Sequence, residues 1–164
     1  RPPDARPPQV ACFDTSFHHD LPRIARLSGL PRALQEAGYR RYGFHGLSYE
    51  YILRALRADG MDVDRERIIV AHLGNGASMC AIRNGQSVET TMGFSTIAGL
   101  PMGTRSGDID PGLALHLLTE GGMTPDDLSR MLYSESGLLG LSWISRNMQD
   151  LLEHDAAEAA EPVD

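Results

Sequence analysis

The sequence predicts an α/β fold in which a three-strand antiparallel meander is followed by helices, and three observations carry that expectation. Two Asn-Gly pairs, Asn75-Gly76 and Asn84-Gly85, lie between short apolar runs in the stretch from Arg67 to Gly93. Asn-Gly tolerates positive φ at both central turn positions, so each pair signals a tight hairpin whose twist matches its strands. Ile68-Ile69-Val70-Ala71 is apolar at every position, the pattern of a strand buried on both faces. Beyond the meander, Pro and Gly punctuate segments with apolar residues at helical spacing.

In chain order, residues 1–9 contain four prolines and read as a connector. Val10-Ala11-Cys12-Phe13 reads as a short buried strand ending at Asp14, a carboxylate that serves either as a loop cap or as a catalytic acid/base. Pro22 and Pro31 break Leu21 to Gly38 into short helical pieces, the second running from Pro31 to Ala37. Tyr42-Gly43-Phe44-His45-Gly46 then opens a helix on which Leu47, Tyr51, Ile52, Ala55 and Leu56 recur at helical spacing, with Gly60 closing it. His45 falls near that helix's N-terminus, where backbone N–H groups attract anions; the alternative is a histidine packed under Phe44. At His72-Leu73-Gly74-Asn75-Gly76 the first meander strand turns polar and glycine-rich, which suggests a ligand loop. Asn84-Gly85 has no polar company and reads as a turn only.

Past the meander, the loop Pro101 to Pro111 sets Arg105 among small residues and ends with Asp110 as a helix N-cap and Pro111 at the first helical position. That helix runs to Glu120 and stops at Gly121-Gly122. Thr124 and Asp127 form a capping box for the next, whose apolar side is Leu128, Met131 and Leu132. Ser136 to Ser142 reads as a small-residue turn before a final helix from about Ser145 to His154. Residues 156–164 form an acidic tail, either frayed helix or disordered.

Composition narrows the function. The 164 residues, 41% hydrophobic, suffice for one packed core. Net charge is −7 and no basic run is dense enough for a phosphate backbone, so no nucleic-acid partner is expected. All 15 basic residues are arginine, which excludes a Schiff-base lysine and the lysine of a Walker-type loop. Cys12 and Cys80 lack a CxxC pattern and fall in apolar stretches, the pattern of buried, reduced thiols in a cytoplasmic protein. There is no basic-then-apolar leader and no apolar run near ~18 residues, so neither secretion nor a membrane partner is expected.

Glycine-rich polar loops around His45, Asn75 and Arg105, with Asp14 at a strand end, hold what phosphoryl transfer requires: backbone amides for phosphate, a guanidinium, an imidazole donor and a carboxylate. Each has a plainer reading: a loop salt bridge of Arg105 with Asp108 or Asp110, or a satisfied buried histidine at His72. The neighbours His18 and His19 point to opposite faces of an extended chain, so no metal site is assigned to them.

Four blocks in order are similar to the signature blocks of the acetate kinase family: Phe13-Asp14-Thr15-Ser16-Phe17-His18, Tyr42-Gly43-Phe44-His45-Gly46, His72-Leu73-Gly74-Asn75-Gly76-Ala77-Ser78, and Met102 to Pro111. The resemblance runs from about Val10 to Leu151, with Ser136 to Gly140 also fitting. It implies a ribonuclease-H-like (actin-like ATPase) domain, of which 10–155 is part of the second in the family chain. It implies transfer of the ATP γ-phosphoryl to acetate, or to propionate or butyrate, with Mg2+ whose ligands lie mostly outside this chain, in a cytoplasmic homodimer. By the same resemblance Asp14 is the catalytic carboxylate, and His45 and Arg105 stabilise the transition state. His72, Leu73, Gly74, Asn75 and Gly76 form the phosphate loop, and Phe44 and Thr96 line the substrate pocket. The chain departs from the family at Leu47 and Tyr49, where Thr and a second His are usual, at Thr96 in place of a proline, and at Trp143 in place of a small residue. The family chain is more than twice as long, which also makes a catalytically incompetent fragment, or a phosphate-binding or dimerisation module, an alternative.

Overall fold

The computed structural model describes residues 7–163. After a 3-10 turn at Ser16–His18, the elements are α1 (Arg23–Arg26), α2 (Arg32–Glu36), α3 (Gly46–Ala58), β1 (Arg67–Leu73), β2 (Ala77–Arg83), β3 (Gln86–Thr90), α4 (Pro111–Thr119), α5 (Pro125–Ser134), α6 (Gly137–Ser142), α7 (Met148–Leu152) and α8 (Ala157–Ala160). The strands form an antiparallel sheet in the order β1-β2-β3.

Register determines what the sheet presents. Ile68 faces Ile82, Val70 faces Cys80 and His72 faces Ser78, so these six share one side, by the two-residue period of a strand. Helix α3 packs on that side, and Tyr49, Leu53, Val63, Val70, Cys80 and Ile82 form the buried core with Phe17, Ile52, Leu56 and Ile68 around it. The apolar rungs occupy the Ile68–Ile82 end, and the row turns polar at His72 and Ser78. A smaller cluster, Ala77, Met92 and Met102, packs with Phe44 and Leu100 beside this polar end.

The two hairpins differ. Asn84 and Gly85 both take positive φ (54° and 73°), as an Asn-Gly turn of this type requires. Asn75 and Gly76 do not; with Gly74 they make a three-residue loop closed by Gly74 N–H donating to the Gly76 carbonyl at 3.0 Å. β1 extends through His72 and Leu73, so those two belong to the strand and only residues 74–76 form the loop.

Four further expectations are corrected. Val10–Phe13 is not a strand: Val10 (85%) and Phe13 (68%) are exposed, and no ladder partner reaches this segment among the described residues. A strand's backbone groups need a neighbouring strand, which an apolar run alone does not supply. Cys12 is accordingly exposed, while Cys80 is buried as expected. β1 is covered on one side only, since Ile69 and Leu73 on its other face are exposed. Ser136 to Ser142 contains helix α6, which ends at Trp143 in the left-handed region.

The other helices follow their local signals. Asp110 accepts from Gly112 N–H and Pro111 starts α4, while Thr124 and Asp127 close a reciprocal capping box on α5. The tail within 156–163 carries α8, with Ala159 buried. Residues 1–6 of the expected connector and Asp164 lie outside the described residues.

Candidate functional site

Asp14 is fixed by the start of α3. Its Oδ2 accepts from His45 N–H at 2.6 Å, its Oδ1 from Leu47 N–H at 3.4 Å, and its backbone carbonyl from Gly46 N–H at 2.9 Å. These amides have no partner inside the helix, so the carboxylate satisfies them and opposes the positive end of the helix dipole. The cap reading of Asp14 therefore holds, and the cap carries the carboxylate to the polar end of the sheet.

His45 occupies the left-handed region (φ 61°) between Phe44 and the helix. Its Nδ1 lies 2.8 Å from Ser78 Oγ, and its ring stacks on His72 with centroids 4.0 Å apart. His72 in turn meets Ser48 Oγ at 3.1 Å. Burial first, then the neighbouring His72, lower the pKa of His45 below its ordinary value; Asp14 opposes this, and Arg105 and His18 add to it. His45 is thus neutral at pH 7.

Beneath it, His18 is buried between Ser87 Oγ (2.8 Å from Nδ1) and the Phe44 carbonyl (3.0 Å from Nε2). It fixes the Phe44 backbone, and with it the loop that presents His45. Burial lowers its pKa too, against the pull of the Phe44 carbonyl and Asp14.

Arg105 reaches the same place from the opposite side. Its Nη1 donates to the Thr96 carbonyl at 3.3 Å and contacts Met102 Sδ at 3.7 Å. Asp108 instead accepts from Gly99 N–H and Asp110 caps α4, so neither forms the loop salt bridge; among the described residues no carboxylate lies within ion-pair distance of Arg105. Helix α6 holds this loop: Leu138 N–H donates to the Met102 carbonyl (2.8 Å), Leu139 to Gly103 (3.0 Å), and Ser136 to Thr104 (3.0 Å).

The two sides meet at the 74–76 loop. Gly103 N–H donates to the Asn75 carbonyl at 3.2 Å, tying this loop to the arginine loop. A Cβ at Gly76 would lie 3.1 Å from His45 Nε2 and 3.3 Å from Arg105 Nη1. Gly76 therefore keeps open a small space bordered by an imidazole nitrogen and an unneutralised guanidinium. Gly74 N–H is used inside the loop, leaving the amides of Asn75 and Gly76 without an intramolecular partner among the described residues. The arrangement suits a small anion such as a phosphoryl group.

Of the expected site residues, the structure joins Asp14, His45, His72, Arg105 and the 74–76 loop through contacts. Phe44 packs against the cluster of Ala77, Met92 and Met102, of which Met102 touches Arg105, and Thr96 contributes its carbonyl to Arg105. Leu73 is 76% exposed on the opposite face of β1, away from His72. Sequence reasoning missed Ser78 and Tyr49 as parts of the site; the Tyr49 hydroxyl bonds Ser78 Oγ, which bonds His45. Among the described residues no group of three or more His, Cys, Asp or Glu gathers as a metal site, and no helix is long and apolar enough to cross a membrane.

Known proteins resemble this chain in both sequence and fold. Residues 3–163 match the model of the acetokinase family. An acetate kinase of Rhodopseudomonas palustris is 54% identical over 158 residues, covering 96% of this chain and 40% of the relative; one of Rickettsia felis is 44% identical over 155 residues. Among solved structures, an acetate kinase of Porphyromonas gingivalis superposes with a TM-score of 0.83 at 39% identity, over 90% of this chain and 38% of that one. A propionate kinase of Francisella tularensis gives 0.85 at 33% identity, over 92% and 40%. These neighbours place the three-strand sheet with its helices as part of an actin-like ATPase domain. The chain spans about 40% of the length of the curated relatives that it matches, and it belongs to the acetokinase family.

Proposed function

We propose that the protein expressed from the complete reading frame is a carboxylate kinase transferring the γ-phosphoryl of ATP to acetate, reversibly. The observation that carries this is the convergence of His45 Nε2 and the carboxylate-free Arg105 guanidinium on the space kept open by Gly76. In the forward direction a carboxylate oxygen attacks the γ-phosphorus in line while the bond to the β–γ bridging oxygen breaks, yielding acetyl phosphate and ADP. Charge spreads over the equatorial phosphoryl oxygens in such a transition state, and fixed donors at that position lower the barrier. Arg105 and His45 Nε2 supply two donors and the amides of Asn75 and Gly76 two more. Asp14 is the carboxylate beside the acceptor, while Phe44 and Thr96 border the acyl group.

A divalent ion, Mg2+ by this reading, would neutralise the nucleotide phosphates. Asp14 is the one carboxylate among the described residues that reaches the site, and both its oxygens already accept backbone N–H bonds. Mg2+ commonly binds through one or two carboxylates, phosphates and water, so this chain fits as a contributor of at most one ligand. Residues 10–155 form part of the second domain of a cytoplasmic homodimer in the same reading. One buried methylene is worth about 0.8 kcal/mol, too little to separate these acids by burial alone, so propionate or butyrate is the alternative acceptor.

The protein from the complete reading frame should form hydroxylamine-trapped acyl phosphate from ATP and acetate, propionate or butyrate. No hydroxamate with any of the three would overturn the proposal. The chain's share of its relatives' length favours a companion expectation: the 164 residues alone give none, because positioning and water exclusion need the remainder of the fold.

A further inference from the structure

We propose that Tyr49, acting through Ser78, is a positioning residue that holds His45 as the neutral tautomer protonated on Nε2, so that the nitrogen facing Gly76 and Arg105 is a hydrogen-bond donor. This deepens the proposed role of His45 and rests on it for its catalytic consequence.

Three protons have to be placed: those of the Tyr49 and Ser78 hydroxyls and that of the His45 ring. Tyr49 and Ser78 are both fully buried. The Tyr49 hydroxyl has Ser78 Oγ as its hydrogen-bond partner among the described residues. Burial pushes the pKa of Tyr49 up to about 12, against the opposing bond to Ser78, so the phenol keeps its proton and must donate it. Ser78 Oγ accepts that proton and has one of its own to place, and the nitrogen 2.8 Å away is His45 Nδ1. His45 Nδ1 therefore accepts, and the ring proton resides on Nε2. The opposite direction, Nδ1–H to Ser78 and Ser78 to Tyr49, leaves the buried phenol O–H without an acceptor, which costs its full desolvation.

The imidazolium fares no better. With protons on both nitrogens, Ser78 would accept from Tyr49 and from Nδ1 at once, and its own proton would be orphaned. The charged and titratable groups facing His45 are the stacked His72, Asp14 at the start of α3, Arg105 across the loop and His18 beneath Phe44. Asp14 is the one that favours the charged ring, and its oxygens are engaged by backbone amides.

Long-range 1H–15N NMR of histidine reads tautomers directly and needs no substrate, so it tests the relay separately from phosphoryl transfer. In the unmodified protein at neutral pH, His45 should show a protonated Nε2 and a bare Nδ1. In Ser78→Ala and Tyr49→Phe the Nδ1 signal should move toward a tautomer average. In protein from the complete reading frame, Tyr49→Phe should lower kcat roughly tenfold, a fraction of the 10²–10³-fold cost of deleting a donor, with KM for ATP within about twofold. A Nδ1-protonated or mixed His45 in the unmodified protein overturns the proposal. So does a Tyr49→Phe spectrum identical to the unmodified one while Ser78→Ala shifts. Should Ser78→Ala fail to fold, the first measurement still decides. Intact tautomers without hydroxamate formation would instead sink the kinase reading and leave the relay standing.

Discussion

The rings of His45 and His72 stack with centroids 4.0 Å apart and planes 23° from parallel, although the two residues come from a helix start and a strand end. The contact follows from the sheet register: His72 lies opposite Ser78, and Ser78 holds His45 by Nδ1. The neighbouring His72 disfavours a charge on the His45 ring and so helps to lower its pKa.

Removing His72 should therefore raise the pKa of His45 toward its ordinary value without restoring it fully, because burial, the largest cause of the depression, remains. His72→Asn keeps a polar group near Ser48 Oγ. An NMR titration of His45 in this variant checks the direction; an unmoved or lower pKa would show that the stacked ring exerts no charge effect.

The two depressed histidines make stability fall with acid. For His18 and His45 the folded pKa lies below the unfolded value of 6.5, so between the two the unfolded chain binds more protons. Stability from these groups is fully present above pH 6.5 and declines as pH drops through that window. The urea midpoint should decrease from about pH 7.5 to about pH 5.5, and His18→Gln should flatten this slope whatever it does to the absolute midpoint. An unchanged slope in the variant contradicts the assignment to His18.

Gly137 adopts φ 63°, and a side chain there would collide with the carbonyls of Met102 and Arg105. Gly137→Ala should cost roughly 1–3 kcal/mol from the backbone alone, with the collision added. A drop of about 2–4 °C in Tm per kcal/mol is expected for a chain of this size. The damage should extend to the arginine loop, since Leu138 and Leu139 donate to its carbonyls. A thermal melt together with the loss of the Arg105 loop's amide protection in hydrogen exchange measures both effects.

Gly137 also marks where the sequence stopped being legible. Local chemistry exposed the cap of α4, the capping box of α5, the span of α3 and the Asn84-Gly85 turn, because each depends on residues a few positions apart. Helix α6 contains two glycines and one serine among poor local signals, and its form depends on carbonyls over thirty positions upstream. Val10–Phe13 had the apolar pattern of a strand without a partner to pair with. The site divides likewise. Asp14, His45, His72 and Arg105 stood out as polar interruptions of apolar or glycine-rich stretches, whereas Tyr49 stands out only as a departure from the family pattern and Ser78 only as the end of a matching block. Only folding brings them together, across 29 positions, and places Ser78 against His45 across 33.

The open space at Gly76 supplies the most direct test of the phosphoryl cradle. Its φ is not positive, so alanine meets no backbone penalty, and the nearest neighbours of a new methyl are His45 Nε2 at 3.1 Å and Arg105 Nη1 at 3.3 Å. An arginine side chain can withdraw by a few tenths of an ångström, which limits the loss of stability to about 1 kcal/mol. The methyl would nonetheless occupy the position proposed for a phosphoryl oxygen and separate the two donors that converge there. In protein from the complete reading frame, Gly76→Ala should leave Tm within a few degrees while kcat/KM for ATP falls by about 10²-fold or more, the scale of losing a preorganised donor. Gly85→Ala is the informative contrast. Its residue has φ 73° and sits at the other hairpin beside Asp64 and Arg57, so it should lower stability and leave kcat/KM of the folded fraction unchanged. If Gly76→Ala retained full activity, the phosphate would have to bind elsewhere than between His45 and Arg105.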